Sequence, residues 1–389
     1  MKKIKAADKN IILIIFAVLI VHIVIWMFSG NSPLSVNPYN SYLLQAQAWR
    51  DGSLDLGRGY SHLELAEYDY RFFVSFPPFP SVVYFPFVML GIPVYEGLFA
   101  LAFALGGAVI TYLILKGEGV YSSRALMYTL IFCCGSNLLF VCIDAWVWFI
   151  AQNMCYTLTA AAIYCALKKR GFLSFLLWSF AVGCRPFQVL YFPLLCMILS
   201  SRCGGKAFVK KYWQFFGTAS VAVFYMWLNY ARFGNIFEFG HNYLPEFIES
   251  KNGQFSLSYL KNNLISLIRL PGIGENGALK MQQFDGMNIL LASPVFAVSL
   301  LMCFKKGNTV QKQTALILAV FEILLICCHK TMGGWQFGNR YTNDILPFAL
   351  FIIAVTDKKQ SDSIPLKLLM LYGIIFNVVG TVVCNLNAM

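Results

Sequence analysis

Long, uninterrupted apolar runs constrain this 389-residue chain more than any other feature. Cutting the chain at its charged and Pro/Gly-rich stretches leaves runs of about 17 to 21 residues, the length at which a helix crosses about 30 Å of hydrocarbon. The composition agrees, because 58% of the residues are hydrophobic and only 12% are charged, roughly half the share in a soluble domain. The sequence therefore predicts a membrane protein that crosses its bilayer many times.

We predict an all-α, polytopic membrane bundle of about eleven transmembrane helices, in a single domain that covers residues 1–389 with no separate soluble domain. The predicted spans are 11–28, 95–115, 125–142, 149–167, 171–184, 186–200, 214–230, 286–304, 313–329, 344–356 and 367–386. The pair 171–200 is short for two spans, so we place there a helical hairpin that turns at Arg185. Two outer loops, 29–94 and 231–285, are long.

The topology follows from the distribution of lysine and arginine, which favour cytoplasmic loops. With the N-terminus in the cytoplasm, the inner segments hold 19 basic and four acidic residues, whereas the outer segments hold 11 basic and 13 acidic residues. The net charge of +12 therefore indicates basic cytoplasmic loops of a cell-membrane protein and not nucleic-acid binding. The first apolar run is too long for a signal peptide and lacks a cleavage site, so we expect an uncleaved anchor. Function should lie at the extracytoplasmic face, where both long loops are.

Cysteine and histidine give no sign of a structural metal or a disulfide framework. Nearly all of the 12 cysteines fall within apolar segments, where they act as small hydrophobes, and no CxxC pair occurs. The four histidines are scattered, which argues against a zinc site. Since no Walker or Rossmann glycine loop occurs either, we expect no nucleotide cofactor.

The first outer loop combines two helix-forming segments with a cluster of acids. Residues 39–49 have amphipathic spacing and predict a short interfacial helix. Acids then gather before the FPPFP motif, and residues 81–90 are apolar but too short to span, which fits an interfacial or re-entrant helix.

At this point the sequence resembles the GT-C superfamily of membrane glycosyltransferases, in particular the protein mannosyltransferase and aminoarabinose transferase branch. The resemblance rests on the first span, the interfacial helix that ends after a polar turn at Gly52, the aromatic pair before Pro-Pro and the second interfacial helix. The GCRPF turn, the stretch NYARFGNIFEFGHNY and the late loop GGWQFGNRYTNDILPF are similar to segments of bacterial members. The resemblance implies a GT-C-like bundle whose donor substrate is a polyprenyl-phosphate sugar.

The chain departs from that family at its acidic pair and at a lysine. Counted back from Gly52, the acidic pair would fall on Asn37 and Pro38, and the lysine before Pro-Pro would fall on Phe76. Two interpretations stay open. Either the catalytic carboxylate has moved down the first loop in a divergent subfamily, or the chain is an inactive relative.

Glycosyl transfer needs a carboxylate that accepts a proton or holds a divalent cation, and cations that stabilise the departing phosphate. Our catalytic candidates are Glu64 first, then Asp69, then Glu67, although each could be a solvated loop residue. The candidates for binding the donor substrate are Arg340, Arg185, Tyr341 and Asn37. An arginine fork suits phosphate, although arginines and aromatics at helix ends also anchor the interface.

Together with these residues, the resemblance implies transfer of a sugar from a polyprenyl-phosphate carrier to an extracytoplasmic acceptor, which is a cell-envelope glycan, lipid or protein. This reaction is compatible with a divalent cation, Mg²⁺ or Mn²⁺, as cofactor, and the sequence does not identify its ligands. A lipid-linked glycan transporter or flippase is the alternative, and it would need charges along a whole transmembrane path. The one deep charge in the sequence is Glu322, which either faces a cavity or is a protonated acid bonded to a neighbouring helix.

Overall fold

A computed structural model of the protein describes residues 9–274, 277–307, 309–358 and 363–388. The chain is mostly helical, and among these residues five helices are long and apolar enough to cross a membrane. They are Lys9–Ser29, Glu96–Gly117, Pro186–Cys203, Val310–Cys327 and Ile364–Asn387. The length and composition of these helices support the prediction that this is a membrane protein.

Every predicted span overlaps an α-helix, and further helices lie in the predicted loops. The α-helices are α1 (Lys9–Ser29), α2 (Ser41–Arg50), α3 (Phe79–Met89), α4 (Glu96–Gly117), α5 (Ser122–Cys133), α6 (Leu138–Ile143), α7 (Val147–Leu167), α8 (Gly171–Val182), α9 (Tyr191–Cys203), α10 (Gly205–Val209), α11 (Phe216–Phe233), α12 (Pro245–Ile248), α13 (Leu257–Ile268), α14 (Ile289–Ala292), α15 (Val295–Cys303), α16 (Thr309–Cys327), α17 (Leu346–Thr356) and α18 (Ile364–Ala388). Short 3-10 helices occupy Pro186–Leu190, Tyr212–Phe215, His241–Tyr243 and Arg340–Ile345.

Helices α2 and α3 occupy almost the same residues as the two short helices predicted for the first outer loop. The turn predicted at Arg185 also exists, because α8 ends at Val182 and the next helix begins at Pro186. The six remaining predicted spans fall on helices outside the five long apolar ones. Most of these helices are short or interrupted.

Two small antiparallel sheets depart from the expected all-α fold. Strands β1 (Leu65–Tyr68) and β2 (Arg71–Val74) form a hairpin in the first outer loop, with Leu65 opposite Val74. Strands β3 (Gln282–Phe284) and β4 (Trp335–Phe337) join the second long loop to the late loop, with Gln282 opposite Phe337. Such three- and four-residue strands are too short for a reliable alternation pattern in the sequence.

Helix α7 forms the centre of the bundle and is buried along most of its length. Its polar side chains satisfy backbone groups of neighbouring helices, which makes a polar residue tolerable in an apolar interior. Asn153 donates a hydrogen bond to the carbonyl of Ala100 at 2.8 Å, and Thr157 donates to that of Phe103 at 2.9 Å. These bonds align α7 with α4, so the start of α7 is fixed beside the first outer loop.

The break between α5 and α6 connects the bundle to the late loop. The side chain of Asn137 donates to the carbonyl of Phe337 at 2.8 Å, and its backbone N–H donates to the hydroxyl of Ser293 at 3.0 Å. Backbone groups freed at an interruption must find partners inside the protein. The interruption therefore positions strand β4 over the bundle.

A buried ion pair holds the bundle together at the other end. Arg124 on α5 donates to Asp357, just after α17, with an Nε–Oδ2 distance of 2.8 Å. The hydroxyl of Tyr128 donates to the same carboxyl oxygen at 2.7 Å. Removing one partner of such a pair leaves a buried charge uncompensated.

Glu322 lies within α16 and is fully buried. Neither of its carboxyl oxygens has a hydrogen-bond partner in the described part of the chain, so the interhelical bond that we considered is not observed there. Ile326, one helical turn further along, lines the cavity described below, which places Glu322 beneath the cavity floor.

Candidate functional site

A cavity of about 640 Å³ lies where the two long loops meet the helix bundle. Its wall is formed by the first outer loop, the start of α7, the turn between α8 and α9, the second long loop and the late loop. This volume is within the range of small-molecule sites. Four of the seven residues chosen from the sequence line this cavity, namely Glu64, Arg185, Arg340 and Tyr341.

Glu64 reaches the cavity from the residue before β1. The indole N–H of Trp148, at the start of α7, donates to its Oε2 at 3.0 Å. The side chain is open to the cavity, but protein surrounds it on its other sides. That burial raises the pKa of Glu64, against the opposing effects of the Trp148 hydrogen bond and the charge of Arg340. A carboxylate with a raised pKa is a better proton acceptor than a free one.

Glu67 and Asp69 lie away from Glu64. They line a separate shallow cleft together with Tyr70 of the same loop. Tyr243 and other residues of the second long loop form the opposite side of this cleft. Strand β1 carries the chain away from the cavity at about 3.3 Å per residue, so Asp69 at the hairpin tip is about 16 Å further along. The structure therefore brings Glu64 to the cavity and leaves the other two acids outside it.

Arg185 enters the cavity from the turn between α8 and α9, where Asp344 holds it. One carboxyl oxygen of Asp344 accepts from Nε of Arg185 at 3.0 Å and from Nη2 at 2.9 Å. Both contacts use Oδ2, so other N–H groups of the guanidinium stay available to a ligand. Asp344 was not a candidate in the sequence analysis, although an acid at a predicted span boundary is a signal of function.

Arg340 begins the 3-10 helix in the late loop. Its Nε and Nη2 donate to the carbonyl of Gly333 at 3.4 and 3.3 Å, and it pairs with no carboxylate among the described residues. Gly333 has φ of 105°, and a Cβ there would lie 2.7 Å from Nε of Arg340. A glycine at this position therefore allows the close approach that leaves the guanidinium facing the cavity.

Tyr341 connects the two arginines. Its ring centroid is 4.9 Å from Cζ of Arg340 and 5.0 Å from Cζ of Arg185, distances typical of cation–π contacts. Two guanidinium groups thus share one wall of the cavity, and only Arg185 has a carboxylate partner there. The resulting positive charge suits a phosphate group, which guanidinium groups bind through paired N–H donors.

Asn37 has a different role from the one considered for it, because it does not line the cavity. Its amide group donates to Oε2 of Glu96 at 2.9 Å and to the carbonyl of Ala145 at 2.7 Å. Its side-chain oxygen accepts the backbone N–H of Tyr39 at 3.0 Å. These bonds attach the first outer loop to the starts of α4 and α7, so Asn37 supports the wall of the site from behind.

Two histidines that looked scattered in the sequence meet at the cavity. The rings of His241 and His329 are 6.2 Å apart, and Nε2 of His329 lies 3.2 Å from the amide nitrogen of Gln254. Burial lowers the pKa of His241 to about 3 and that of His329 to about 4. Both are therefore neutral at pH 7 and act as hydrogen-bonding groups. Sequence spacing could not show this meeting, because 88 positions of chain separate the two residues.

Aromatic rings cover much of the remaining wall. Tyr39 lies 5.0 Å from Trp146 and 4.9 Å from Trp148, measured between ring centroids, and Trp148 is the ring that bonds to Glu64. Trp335 in β4 and Phe284 in β3 form an edge-to-face pair at 5.7 Å and are both exposed at the rim. Flat ring faces of this kind stack on sugars as well as on each other.

Carboxylate and imidazole groups are spread out among the described residues. These residues contain no group of three or more His, Cys, Asp or Glu side chains placed to bind one ion. The side-chain oxygen of Asn37 accepts the backbone N–H of Tyr39.

Comparison of the chain with protein-family models, with curated proteins and with solved structures found no match in any of the three.

Proposed function

We propose that this protein is a membrane glycosyltransferase that moves a sugar from a polyprenyl-phosphate carrier to a glycan, lipid or protein of the cell envelope. One observation carries the proposal. A carboxylate and two arginines, chosen from the sequence for this chemistry, lie around a single cavity with the aromatic ring of Tyr341 between the arginines.

In the proposed reaction, an acceptor hydroxyl attacks the anomeric carbon of the donor sugar. A new C–O bond forms, the bond from that carbon to the phosphate oxygen breaks, and the hydroxyl proton passes to Glu64. The polyprenyl phosphate leaves with the electron pair, and its charge is stabilised by Arg340 and Arg185. The raised pKa of Glu64 supports its role as the proton acceptor.

For the membrane, we propose eleven crossings, a cytoplasmic N-terminus and a cavity at the extracytoplasmic face. In this arrangement, consecutive short helices share one crossing, as α5 with α6 and α14 with α15. Helices α2 and α3 would lie at the interface, as in the GT-C branch that the sequence resembles. The distribution of basic residues supports this orientation, because the loops at the ends remote from the cavity carry most of them.

The decisive experiment measures release of free polyprenyl phosphate by the purified protein from candidate polyprenyl-phosphate sugars. We expect release that depends on an acceptor and is lost in Glu64→Gln. Movement of intact donor across a vesicle membrane without release would favour a transporter. Binding of the donor without release or movement would favour an inactive relative.

A further inference from the structure

A patch of unpaired cations lies at the end of α8 that is remote from the cavity. Six basic residues, all exposed, contribute to it: Lys168, Lys169, Arg170, Lys206, Lys210 and Lys211. None of them forms an ion pair with a carboxylate among the described residues. The sequence reinforces the imbalance, because no Asp or Glu occurs between Asp144 and Glu238.

Tertiary contacts join the two halves of this patch. Trp213 stacks on Phe172 of α8, with ring centroids 6.1 Å apart. The buried side chain of Gln214 fits against Gly171, where a Cβ would lie 1.9 Å from its Oε1. Only glycine leaves room for the Gln214 side chain at this position. The turn before α8 therefore packs against the segment after α9, and the two share one surface.

Large apolar side chains project from the same surface between the lysines. They are Val209, Tyr212, Trp213 and Phe216, with exposed fractions of 73, 79, 58 and 74%. Exposed tryptophan and tyrosine beside lysine are typical of the boundary between headgroups and acyl chains, where the rings insert and the ammonium groups meet phosphate. A soluble acidic partner would explain the lysines but not four adjacent exposed apolar side chains.

We propose that this basic-aromatic patch binds anionic phospholipids of the adjacent leaflet, with the lysines on the phosphates and the aromatic and apolar side chains among the acyl chains. The patch is separated from Arg185 by the length of α8, about 18 Å for its 12 residues. The site is therefore distinct from the cavity, and the inference does not depend on the proposed transferase activity.

The test compares two triple variants of equal charge. The patch variant is Lys206→Gln, Lys210→Gln and Lys211→Gln. The control is Lys251→Gln, Lys261→Gln and Lys280→Gln, which are exposed lysines of the second long loop. Each protein is exchanged into mixed phosphatidylcholine and phosphatidylglycerol, and the lipids that it retains are counted by native mass spectrometry.

We expect the parent and the control to retain phosphatidylglycerol in preference to phosphatidylcholine. The patch variant should lose that preference by about tenfold or more, since each lysine near an anionic surface contributes about fivefold. High salt should weaken retention, and inorganic phosphate at low concentration should not displace the lipid. A separate variant, Trp213→Ala with Tyr212→Ala, should also weaken retention while keeping every charge.

Equal loss in the control and the patch variant would show that the charge acts diffusely, and would overturn the proposal. Unchanged retention in the patch variant would overturn it as well. Displacement by inorganic phosphate alone would assign the patch to a soluble anion instead of a lipid.

Discussion

The indole N–H of Trp148 donates a hydrogen bond to the Glu64 carboxylate at 3.0 Å, while the Trp148 ring lies 6.0 Å from the guanidinium carbon of Arg340. One side chain at the start of α7 thus contacts both the proposed base and a proposed phosphate ligand. Because α7 is fixed within the bundle, this contact sets the position of a loop carboxylate relative to the arginines.

Glu64→Gln should reduce the rate of sugar transfer on the order of a hundredfold or more, the usual effect of removing a general base. Donor affinity should survive because the amide is nearly isosteric. Since burial raises the pKa of Glu64 above the usual 4.5, its ionisation opposes folding as the pH rises through and above this value. Stability at neutral pH should therefore not fall. Glu67→Gln and Asp69→Asn are the matched controls, and equal losses in them would remove Glu64 from the role of base.

Trp148→Phe should move the acidic limb of the pH–rate profile to higher pH. The Trp148 hydrogen bond lowers the pKa of Glu64, so its removal raises that pKa further and protonates the base over a wider range. Activity should be lost as the pH falls through this raised value and should recover at higher pH. Trp146→Phe, whose indole makes no bond to Glu64, should leave the profile in place. A profile that is unchanged in Trp148→Phe would mean that another group titrates.

Arg340→Lys should lower kcat/KM about ten- to a hundredfold although the charge is kept, because the lysine has no planar pair of donors for the phosphate. Transfer rates at several donor concentrations would separate binding from chemistry. Arg269→Lys, at an exposed site in the second long loop, is the control. If Arg340→Lys kept full activity and donor affinity, the arginine would be an anchor only.

Asn37→Asp should destabilise the protein and should not raise its activity. The substitution removes the amide that donates to Glu96 and to the carbonyl of Ala145, and leaves that buried carbonyl without this donor. The expected loss is about 1–3 kcal/mol in the free energy of unfolding for each unsatisfied buried group. Thermal unfolding in detergent would show it, with Asn262→Asp on the exposed surface of α13 as the control. A gain in transfer activity would restore the alternative that this position belongs to the catalytic site.

Topology reporters test the orientation directly. A reporter fused after residue 204 should be cytoplasmic, and one inserted at residue 253 should be extracytoplasmic, because basic clusters flank the former. Finding residue 253 on the cytoplasmic side would reverse both the orientation and the location of the proposed site.

The sequence by itself determined that the chain has the helices of a membrane protein and where its main helices lie. Runs of about 20 apolar residues are unfavourable in water and have the length of a membrane-spanning helix. Helices α1, α4 and α18 could therefore be located from composition alone. The turn at Arg185 could be predicted too, since the proline after it disfavours a continuous helix. The short strands could not, because β1 and β2 are too short to show an alternation pattern and the pairing of β3 with β4 depends on contacts between distant loops.

Only the tertiary structure decided which charged residues meet. Glu64 and Asp69 are both candidate loop acids in the sequence, but the direction of β1 brings Glu64 to the cavity and takes Asp69 away from it. Asn37 could be interpreted as a weak ligand until its partners were seen, which are Glu96 at the start of α4 and Ala145 just before α7. Composition and hydropathy act locally along the chain, whereas a site is made by side chains that long-range packing brings within a few ångströms of one another.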